Sequence, residues 1–431
     1  ELKRELGLRD ITLMAIACIV GTRWIPAAAH AGAGSVTLWF LAALLFMVPL
    51  AIAVAALSVK YPGTGGLYLW TRNDFGRFHG FLCFAVYWIG LAIWFPSAAM
   101  FYMAAGLYAV NPALSESRAF VLAVSLAAIW IALGTNLIGV KIGKWTQNIG
   151  ASSSWVIGGL LVVLAIVLGA RRGSATPINI APKWNWDTVN FWATIAYALS
   201  GLEMAGLMGG EIHDPERNLP RAGWIASAFA ATFYAGATIA MLVLLRPDRI
   251  SEMNGYGQIA TVASDETGIA WLAPLLAILV LASAIGQFGG IGTSISRLPF
   301  AAGVDRLLPE AFGRVHPRWG TPYLSLLVLG VIASGLLIAM QIGDTMRTAY
   351  QELVSLMVIV GFLPYIYIFG SAWKAGKRIS AISGWAITLL AIVCAVVPTS
   401  DVNNVWLFEG KLIGGTAAVI LVAWWMYRRA A

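Results

Sequence analysis

Residues 16–27 read IACIVGTRWIPA, an apolar run that is interrupted by Gly21, Arg23 and Pro26. An apolar run of about 20 residues can cross a membrane as one helix, because that length matches a hydrocarbon core about 30 Å thick. Proline cannot donate a backbone hydrogen bond, and a charged side chain at membrane depth is energetically costly. The stretch therefore predicts a membrane-spanning segment whose helix is broken around Gly21–Trp24.

A second interruption of the same kind lies near the middle of the chain. Residues 195–206 read IAYALSGLEMAG, with Ser200, Gly201 and Glu203 inside the sixth apolar run. Broken helices at corresponding positions are typical of membrane proteins built from two inverted repeats. Their free N–H groups attract a carboxylate, and their free carbonyl groups attract a cation. We therefore expect this break, Ser200–Glu203, to meet the first one at mid-membrane and to bind a small molecule.

The composition places the whole chain in lipid. Hydrophobic residues make up 59% of the 431 and charged residues 11%, with a mean hydropathy of +0.79. A soluble domain carries about 25% charged residues. The apolar runs lack the alternation of barrel strands, so the sequence predicts an all-α integral membrane protein of about 12 transmembrane helices. The predicted spans begin near residues 11, 36, 79, 118, 147, 189, 222, 269, 322, 348, 381 and 408.

The distribution of basic residues predicts the orientation. Most of the 28 lysines and arginines fall in loops that would lie on the same side as the N terminus. Because basic loops stay in the cytoplasm, we expect both termini to be cytoplasmic and the protein to lie in the cell membrane. The same bias explains the net charge of +8 without any nucleic acid partner.

Two charged residues fall inside the predicted breaks, and each needs a reason to be there. Arg23 either contacts an anionic group on a bound substrate or pairs with Glu203. In the second case the ion pair would only hold the two broken helices in register. Glu203 could also bind or release a proton, or anchor a neighbouring helix.

Several motifs, taken together and in order, resemble a known family. They are the broken first span ending in Pro26-Ala27, Tyr61–Tyr68 (YPGTGGLY), Gly201-Leu202-Glu203, Glu211–Pro220 and Ser296–Pro309. The chain resembles the amino acid–polyamine–organocation permeases, which have the LeuT-type fold. The resemblance implies a single transporter domain over residues 1–431, with repeats at about 11–170 and 187–370 and two additional helices at about 381–428.

The resemblance also implies where the substrate binds. The family usually has Gly-Ser-Gly or Gly-Thr-Gly in its first span, whereas this chain has Gly21-Thr22-Arg23 and lacks the second glycine. Tyr197 matches an aromatic gate, Phe95 matches a position that lines the central site, and Gln287 matches a site-facing position of the glutamate/GABA antiporter branch, to which the likeness is looser. The predicted substrate-binding residues are Gly21, Thr22, Arg23, Trp24, Phe95, Tyr197, Ser200, Gly201, Glu203 and Gln287.

Coupling is predicted from the same resemblance. Some members carry a lysine in span five that replaces sodium, and the matching position here is Ser154. Weak sodium-site candidates are Ala17, Val20, Thr293 and Ser294, although small hydroxyl residues often serve only to let helices pack.

The expected function is that of a secondary active transporter of amino acids or related amines, working by alternating access with proton coupling or exchange. A non-transporting amino acid sensor and a sodium-coupled amino acid or polyamine symporter are the alternatives. The four histidines are widely separated and there is no Gly-x-Ser-x-Gly motif, so we expect neither an enzyme nor a cofactor.

Overall fold

A computed structural model of the chain describes residues 4–182, 186–339, 346–398 and 405–430. Within these residues every regular secondary-structure element is a helix. The β-type pairings there are two isolated bridges, Leu6–Ile212 and Thr64–Met208. The α-helices are α1 (Leu8–Ile19), α2 (Trp24–His30), α3 (Ser35–Ala42), α4 (Val48–Lys60), α5 (Leu67–Phe75), α6 (Arg77–Val110), α7 (Pro112–Glu116), α8 (Arg118–Leu137), α9 (Val140–Arg172), α10 (Trp186–Ala198), α11 (Glu203–Leu207), α12 (Pro215–Leu244), α13 (Gly255–Thr267), α14 (Leu272–Val304), α15 (Tyr323–Ala339), α16 (Met346–Lys374), α17 (Arg378–Val396) and α18 (Val405–Ala430).

The predicted all-α membrane architecture is confirmed. In the described part of the chain, nine helices are long and apolar enough to cross a membrane, and the bent pair α1–α2 makes a tenth. Two predicted spans correspond to shorter helices, since α10 has 13 residues and α15 has 17. The total of twelve spans and their arrangement as two inverted repeats stay predictions.

Both predicted helix breaks are present. The first helix ends at Ile19, the next begins at Trp24, and the two are bent by 41°. Pro26 lies in the first turn of α2, where a missing amide proton removes no helical hydrogen bond. In the second break, α10 ends at Ala198 and α11 begins at Glu203.

The two breaks also meet, as predicted. Gly201 has φ +110°, a backbone conformation that residues with a side chain rarely adopt. A Cβ atom placed there would lie 3.2 Å from the carbonyl oxygen of Cys18, at the end of α1. The missing side chain therefore allows the second break to approach the backbone of the first.

One end of the helix bundle is closed by contacts among loops and helix ends that are far apart in sequence. We call this end the N-terminal face, because Leu6 lies there. Its contacts are Leu6–Ile212, Thr64–Met208, Tyr68–Asp305, Lys374–Asp74 and Phe78–Tyr427.

The long helices α9 and α14 touch through their backbones. The contact is made by Gly150 and Gly286, and a Cβ atom on either residue would overlap the Cα atom of the other. Small residues at helix contacts are common in membrane proteins because they let backbones approach closely. The contact holds α14, which carries several of the predicted site residues, against α9.

Candidate functional site

The break in the first span is held by tyrosine hydroxyl groups from distant helices. The N–H of Gly21 donates to the hydroxyl oxygen of Tyr234 at 2.8 Å, and this hydroxyl donates in turn to the carbonyl of Ile19 at 2.8 Å. The hydroxyl of Tyr256 donates to the carbonyl of Thr22 at 2.8 Å. Because unpaired backbone groups inside a membrane are costly, these tyrosines stabilise the non-helical segment.

The same tyrosine joins the two breaks. The hydroxyl oxygen of Tyr234 also lies 3.3 Å from the carbonyl oxygen of Ala198, the last residue of α10. One side chain of α12 therefore touches the ends of both interrupted helices. Tyr234 and Tyr256 were not among the predicted site residues. A buried tyrosine within an apolar run usually has a hydrogen-bond partner, and this signal marks both as candidates.

The guanidinium group of Arg23 lies between helices α6 and α16. It is 1% exposed, it donates to the hydroxyl of Ser97 at 3.0 Å, and its other terminal nitrogen lies 3.5 Å from the sulfur of Met357. The group stacks on the indole of Trp24, 3.9 Å from the ring centroid, and lies 5.4 Å from the centroid of Trp94. Two aromatic rings close to a guanidinium group stabilise its positive charge when it is buried away from water.

Two polar atoms in the first break make no hydrogen bond of good geometry within the part of the chain that the structure describes. They are the Nε of Arg23 and the hydroxyl oxygen of Thr22, and both are fully buried. A buried polar atom left unsatisfied costs about 1–3 kcal/mol. Their presence at neighbouring positions indicates that the break can accept a small polar ligand.

Glu203 is held by neutral partners. It is completely buried, it accepts from the hydroxyl of Tyr87, and the N–H of Gly201 lies 3.2 Å from its other carboxylate oxygen. Within the described residues it has no salt-bridge partner. Glu203 therefore lies in the second break as a carboxyl group without a compensating cation in contact.

The alternative in which Arg23 and Glu203 pair with each other is wrong. Arg23 contacts α6 at Ser97, whereas Glu203 contacts the same helix at Tyr87. Ten residues of α-helix span about 15 Å. The two side chains thus point to different levels of α6, and each charge is accommodated by its own set of neighbours.

The predicted gate, Tyr197, lies beside the first break. Its ring is edge-on to Trp24 at 6.4 Å between centroids and to Phe362 at 5.6 Å. A Cβ atom at Gly361 would lie 2.5 Å from the ring of Tyr197, so this glycine provides the room for the ring. The position is suitable for an aromatic lid over Trp24.

Phe95 lies one layer away from these residues. Its ring centroid is 5.4 Å from that of Trp94 and 5.7 Å from that of Phe288. Trp94 in turn lies beside Arg23. Phe95 is thus connected to the break through Trp94, and its predicted role in lining the substrate site stays a prediction.

Gln287 is brought to the break by α14. Its side-chain carbonyl accepts from the hydroxyl of Tyr102 at 2.8 Å. A Cβ atom at Gly21 would lie 3.1 Å from the amide nitrogen of Gln287 and 2.8 Å from Nε1 of Trp24. Gly21 therefore leaves room for both side chains. Ser200, in the other break, donates to the carbonyl of Tyr197 at 2.6 Å.

The hydroxyls of the weak sodium-site candidates are engaged with protein groups. The hydroxyl of Thr293 donates to the side-chain oxygen of Asn136 at 2.5 Å and accepts from the amide nitrogen of Gln147 at 3.0 Å. Ser294 donates to the carbonyl of Gly290 at 2.9 Å. An amide N–H group directed at Thr293 disfavours a cation there. Ala17 and Val20, the other candidates, are buried around the end of α1.

The residue of α9 that faces Thr293 is therefore Gln147, which was not among the predicted residues. Ser154, two turns along α9, instead shares a hydrogen bond of 2.8 Å with the hydroxyl of Ser283. Among the residues that the structure describes, no group of three or more histidine, cysteine, aspartate or glutamate side chains could hold a metal ion.

Polar contacts close the N-terminal face below the breaks. Arg297 forms a two-pronged ion pair with Glu211, with distances of 2.6 and 2.9 Å, and both side chains are almost completely buried. Tyr68 and Arg72 both donate to Asp305. Burial and the adjacent Asp305 carboxylate raise the pKa of Tyr68 above its usual range, so it stays a proton donor.

Several known proteins similar to this chain are named as transporters. Residues 6–408 match the sequence model of a family described as "Amino acid permease". An uncharacterized transporter of Legionella pneumophila is 27% identical over 98% of this chain and 96% of its own length. The serine/threonine exchanger SteT of Bacillus subtilis is 25% identical over 88% of this chain and 84% of its own length. The Asc-type amino acid transporter 1 of Homo sapiens is 25% identical over 84% of this chain and 70% of its own length.

Proposed function

Because this chain belongs to the amino acid permease family and its function is amino acid transport, we propose that it is a secondary active transporter that works by alternating access. The substrate binds at the break between α1 and α2. The observation that carries this proposal is the pair of buried polar atoms at Thr22 and Arg23 that make no hydrogen bond of good geometry to the described residues, inside a segment whose backbone is already satisfied by tyrosines.

The α-carboxylate of the substrate is bound by Arg23 together with Thr22. An arginine offers five N–H donors in a planar fork that suits a carboxylate, and its charge strengthens each hydrogen bond. The present partners of the guanidinium, the Ser97 hydroxyl and the Met357 sulfur, are weak acceptors compared with a carboxylate. A substrate carboxylate would therefore displace them.

Tyr197 covers the bound substrate, with Trp24 on one side and Phe362 on the other. Movement of one aromatic ring can open or close a path without covalent chemistry. Gln287 and the second break, Ser200–Glu203, complete the site from α14 and from the end of α10.

Transport is coupled to a proton or to exchange of a second substrate. Glu203 supports proton coupling, because it is a buried carboxyl group with tyrosine and backbone partners and, among the described residues, no cation in contact. Sodium coupling has less support, since the hydroxyl groups of Thr293 and Ser294 already bind protein atoms. The N-terminal face is cytoplasmic, which the abundance of basic residues there supports.

The experiment that tests the proposal is counterflow in proteoliposomes. Vesicles containing the purified chain are loaded with one unlabelled amino acid at a time, and entry of the same radiolabelled amino acid is measured. Serine and threonine, which the name of the exchanger SteT suggests, are the first choices, and we expect accumulation for them. Saturable binding without counterflow for any amino acid would contradict the transporter and indicate a sensor.

A further inference from the structure

Among the cations of the N-terminal face, four on two outer helices have no carboxylate partner within the described residues. They are Lys377 and Arg378 at the start of α17, and Arg428 and Arg429 at the end of α18; we call them the basic corner. All four side chains are exposed, and within the described residues none has a carboxylate partner. Their positive charge is therefore available to a ligand.

Several other basic side chains on the same face are paired with carboxylates. Lys60 pairs with Asp74 at 3.3 Å, Arg72 pairs with Asp305, and Arg297 pairs with Glu211. The carboxylates of this face are thus used by the residues nearer the centre of the bundle. The four cations of the outer helices α17 and α18 have no such carboxylate within the described residues.

Three guanidinium groups of the basic corner are ordered by indole rings. Arg428 lies 4.1 Å from the ring centroid of Trp424, and Arg429 lies 4.0 Å from that of Trp425. Arg378 lies 5.5 Å from the centroid of Trp373. Tryptophan rings prefer the level of lipid headgroups, so these pairs place guanidinium groups at the depth of the lipid phosphates.

The basic corner also borders exposed apolar surface. The side chain of Ile379, next to Arg378, is 87% exposed, and that of Trp425 is 49% exposed. In the most apolar stretch of α18, 11% of the residues are buried, compared with 89% in that of α6. An apolar surface beside unpaired cations fits an amphipathic molecule with acyl chains and an anionic head.

The end of α18 is fixed to the bundle by aromatic packing. Tyr427 contacts Phe78 at 5.2 Å between centroids and Phe81 at 5.7 Å, both on α6. Arg428 and Arg429 therefore follow a well-packed residue and do not extend from a loose terminus. Their guanidinium groups have defined positions before any ligand arrives.

We propose that the basic corner binds the phosphate headgroup of anionic phospholipids. Guanidinium groups bind phosphate through paired, charge-assisted hydrogen bonds, and basic residues next to membrane helices attract anionic lipids. A lipid bound at either pair of cations would neutralise that pair, and a lipid at Arg428 and Arg429 would cover the exposed side of α18 with its acyl chains. This inference concerns the outer surface and does not depend on which substrate is transported.

The test is native mass spectrometry of the purified full chain with phosphatidylglycerol and phosphatidylcholine of identical acyl chains. We expect the purified chain to retain phosphatidylglycerol in preference to phosphatidylcholine. In the variant Arg428→Gln/Arg429→Gln, retention of phosphatidylglycerol should fall roughly 25-fold, because each cation removed weakens binding about fivefold. Lys377→Gln/Arg378→Gln should act similarly from α17. Arg428→Lys/Arg429→Lys keeps the charge, so it should retain most of the binding.

The matched control is Arg217→Gln/Arg221→Gln, which removes two exposed cations from the start of α12 and should leave lipid retention unchanged. Equal retention of the two lipids by the unmodified chain would overturn the proposal. So would equal loss in the control variant, which would indicate a general effect of net charge. Displacement of the lipid by soluble glycerol phosphate at the same concentration would identify a free phosphate site instead.

Discussion

Arg23 is a buried cation whose nearest partners are a hydroxyl, a thioether and an indole face. Such an arrangement stabilises the charge in the empty protein but leaves hydrogen-bonding capacity, including the unpartnered Nε. In the proposed function this capacity is completed by the substrate carboxylate.

The first prediction concerns this arginine. Arg23→Ala should weaken binding of a transported amino acid by about ten- to a hundredfold, because a charge-assisted hydrogen bond contributes about 1.5–3 kcal/mol. Arg23→Lys should have an intermediate effect, since it keeps the charge and loses the planar fork. Scintillation proximity binding measures both. The control ligand is the decarboxylated amine; if Arg23→Ala weakens amine and amino acid equally, Arg23 has only a structural role.

The second prediction concerns Tyr197. Tyr197→Phe keeps the ring contacts with Trp24 and Phe362 and should transport almost normally. Tyr197→Ala removes the ring, and counterflow should fall by at least about tenfold because the site is no longer closed. Thermal stability in detergent is measured in parallel, so that loss of transport can be separated from unfolding. Normal counterflow in Tyr197→Ala would rule out a gate.

At the scale of single residues, a charge or a glycine inside an apolar run can be recognised from the sequence. Gly21, Arg23 and Glu203 could therefore be predicted as site residues without coordinates. Tyr234 could not be assigned a role in this way, because its partner Gly21 is 213 residues away in sequence. Only the packing of α12 against the first span brings the two together.

Among the elements, the broken helices depend on side chains outside themselves. α2 has seven residues and α11 has five, and isolated helices of this length are unstable. The breaks persist because Tyr234 and Tyr256 bind the backbone groups that the helices leave free.

The third prediction follows from that dependence. Tyr234→Phe removes the acceptor for the Gly21 N–H and the donor to the Ile19 carbonyl, and it should reduce stability by about 1–3 kcal/mol. Thermal denaturation in detergent measures the loss, and counterflow should fall as well. Tyr427→Phe is the matched control, because Tyr427 makes ring contacts on α6 and has no hydroxyl partner in the described part of the chain. An equal effect of both variants would contradict the role of the Tyr234 hydroxyl.

The fourth prediction concerns the closed N-terminal face. Arg297→Ala leaves Glu211 buried without its cation, which costs about 3–5 kcal/mol, so this end should open more often. Cys18, buried near the end of α1, then becomes a reporter in a variant whose other cysteines are replaced, Cys83→Ala/Cys394→Ala. The rate at which a membrane-impermeant thiol reagent labels Cys18 should rise by at least about tenfold. Arg314→Ala, at an exposed pair, is the control. Unchanged labelling would contradict the sealing role.

At the scale of the whole molecule, the positions of the helices were the most predictable feature. Each of the twelve predicted starting points lies within or near a helix, because long apolar runs in lipid have few alternatives to that structure. The short helices α5, α7 and α13 were not predicted. They lie between the predicted spans, where apolar length gives no signal.

The fifth prediction concerns energy coupling. Accumulation in proteoliposomes should respond to a pH gradient or to an internal substrate, and it should be unchanged when sodium is replaced by potassium. Glu203→Gln should abolish any response to pH while leaving counterflow at constant pH, since glutamine cannot release a proton. Transport that requires sodium and ignores the pH gradient would show that this prediction is wrong.

The contact between Gly150 and Gly286 has a consequence for the evolution of the chain. At most helix contacts, a larger residue on one side can be compensated by a smaller one on the other. Here neither side can become smaller, because each residue already lacks a side chain and a Cβ atom on one would overlap the Cα of the other. A mutation at either position can therefore be rescued only by moving a whole helix. Descendants of this chain should change their substrates through residues around the break long before they change this pair.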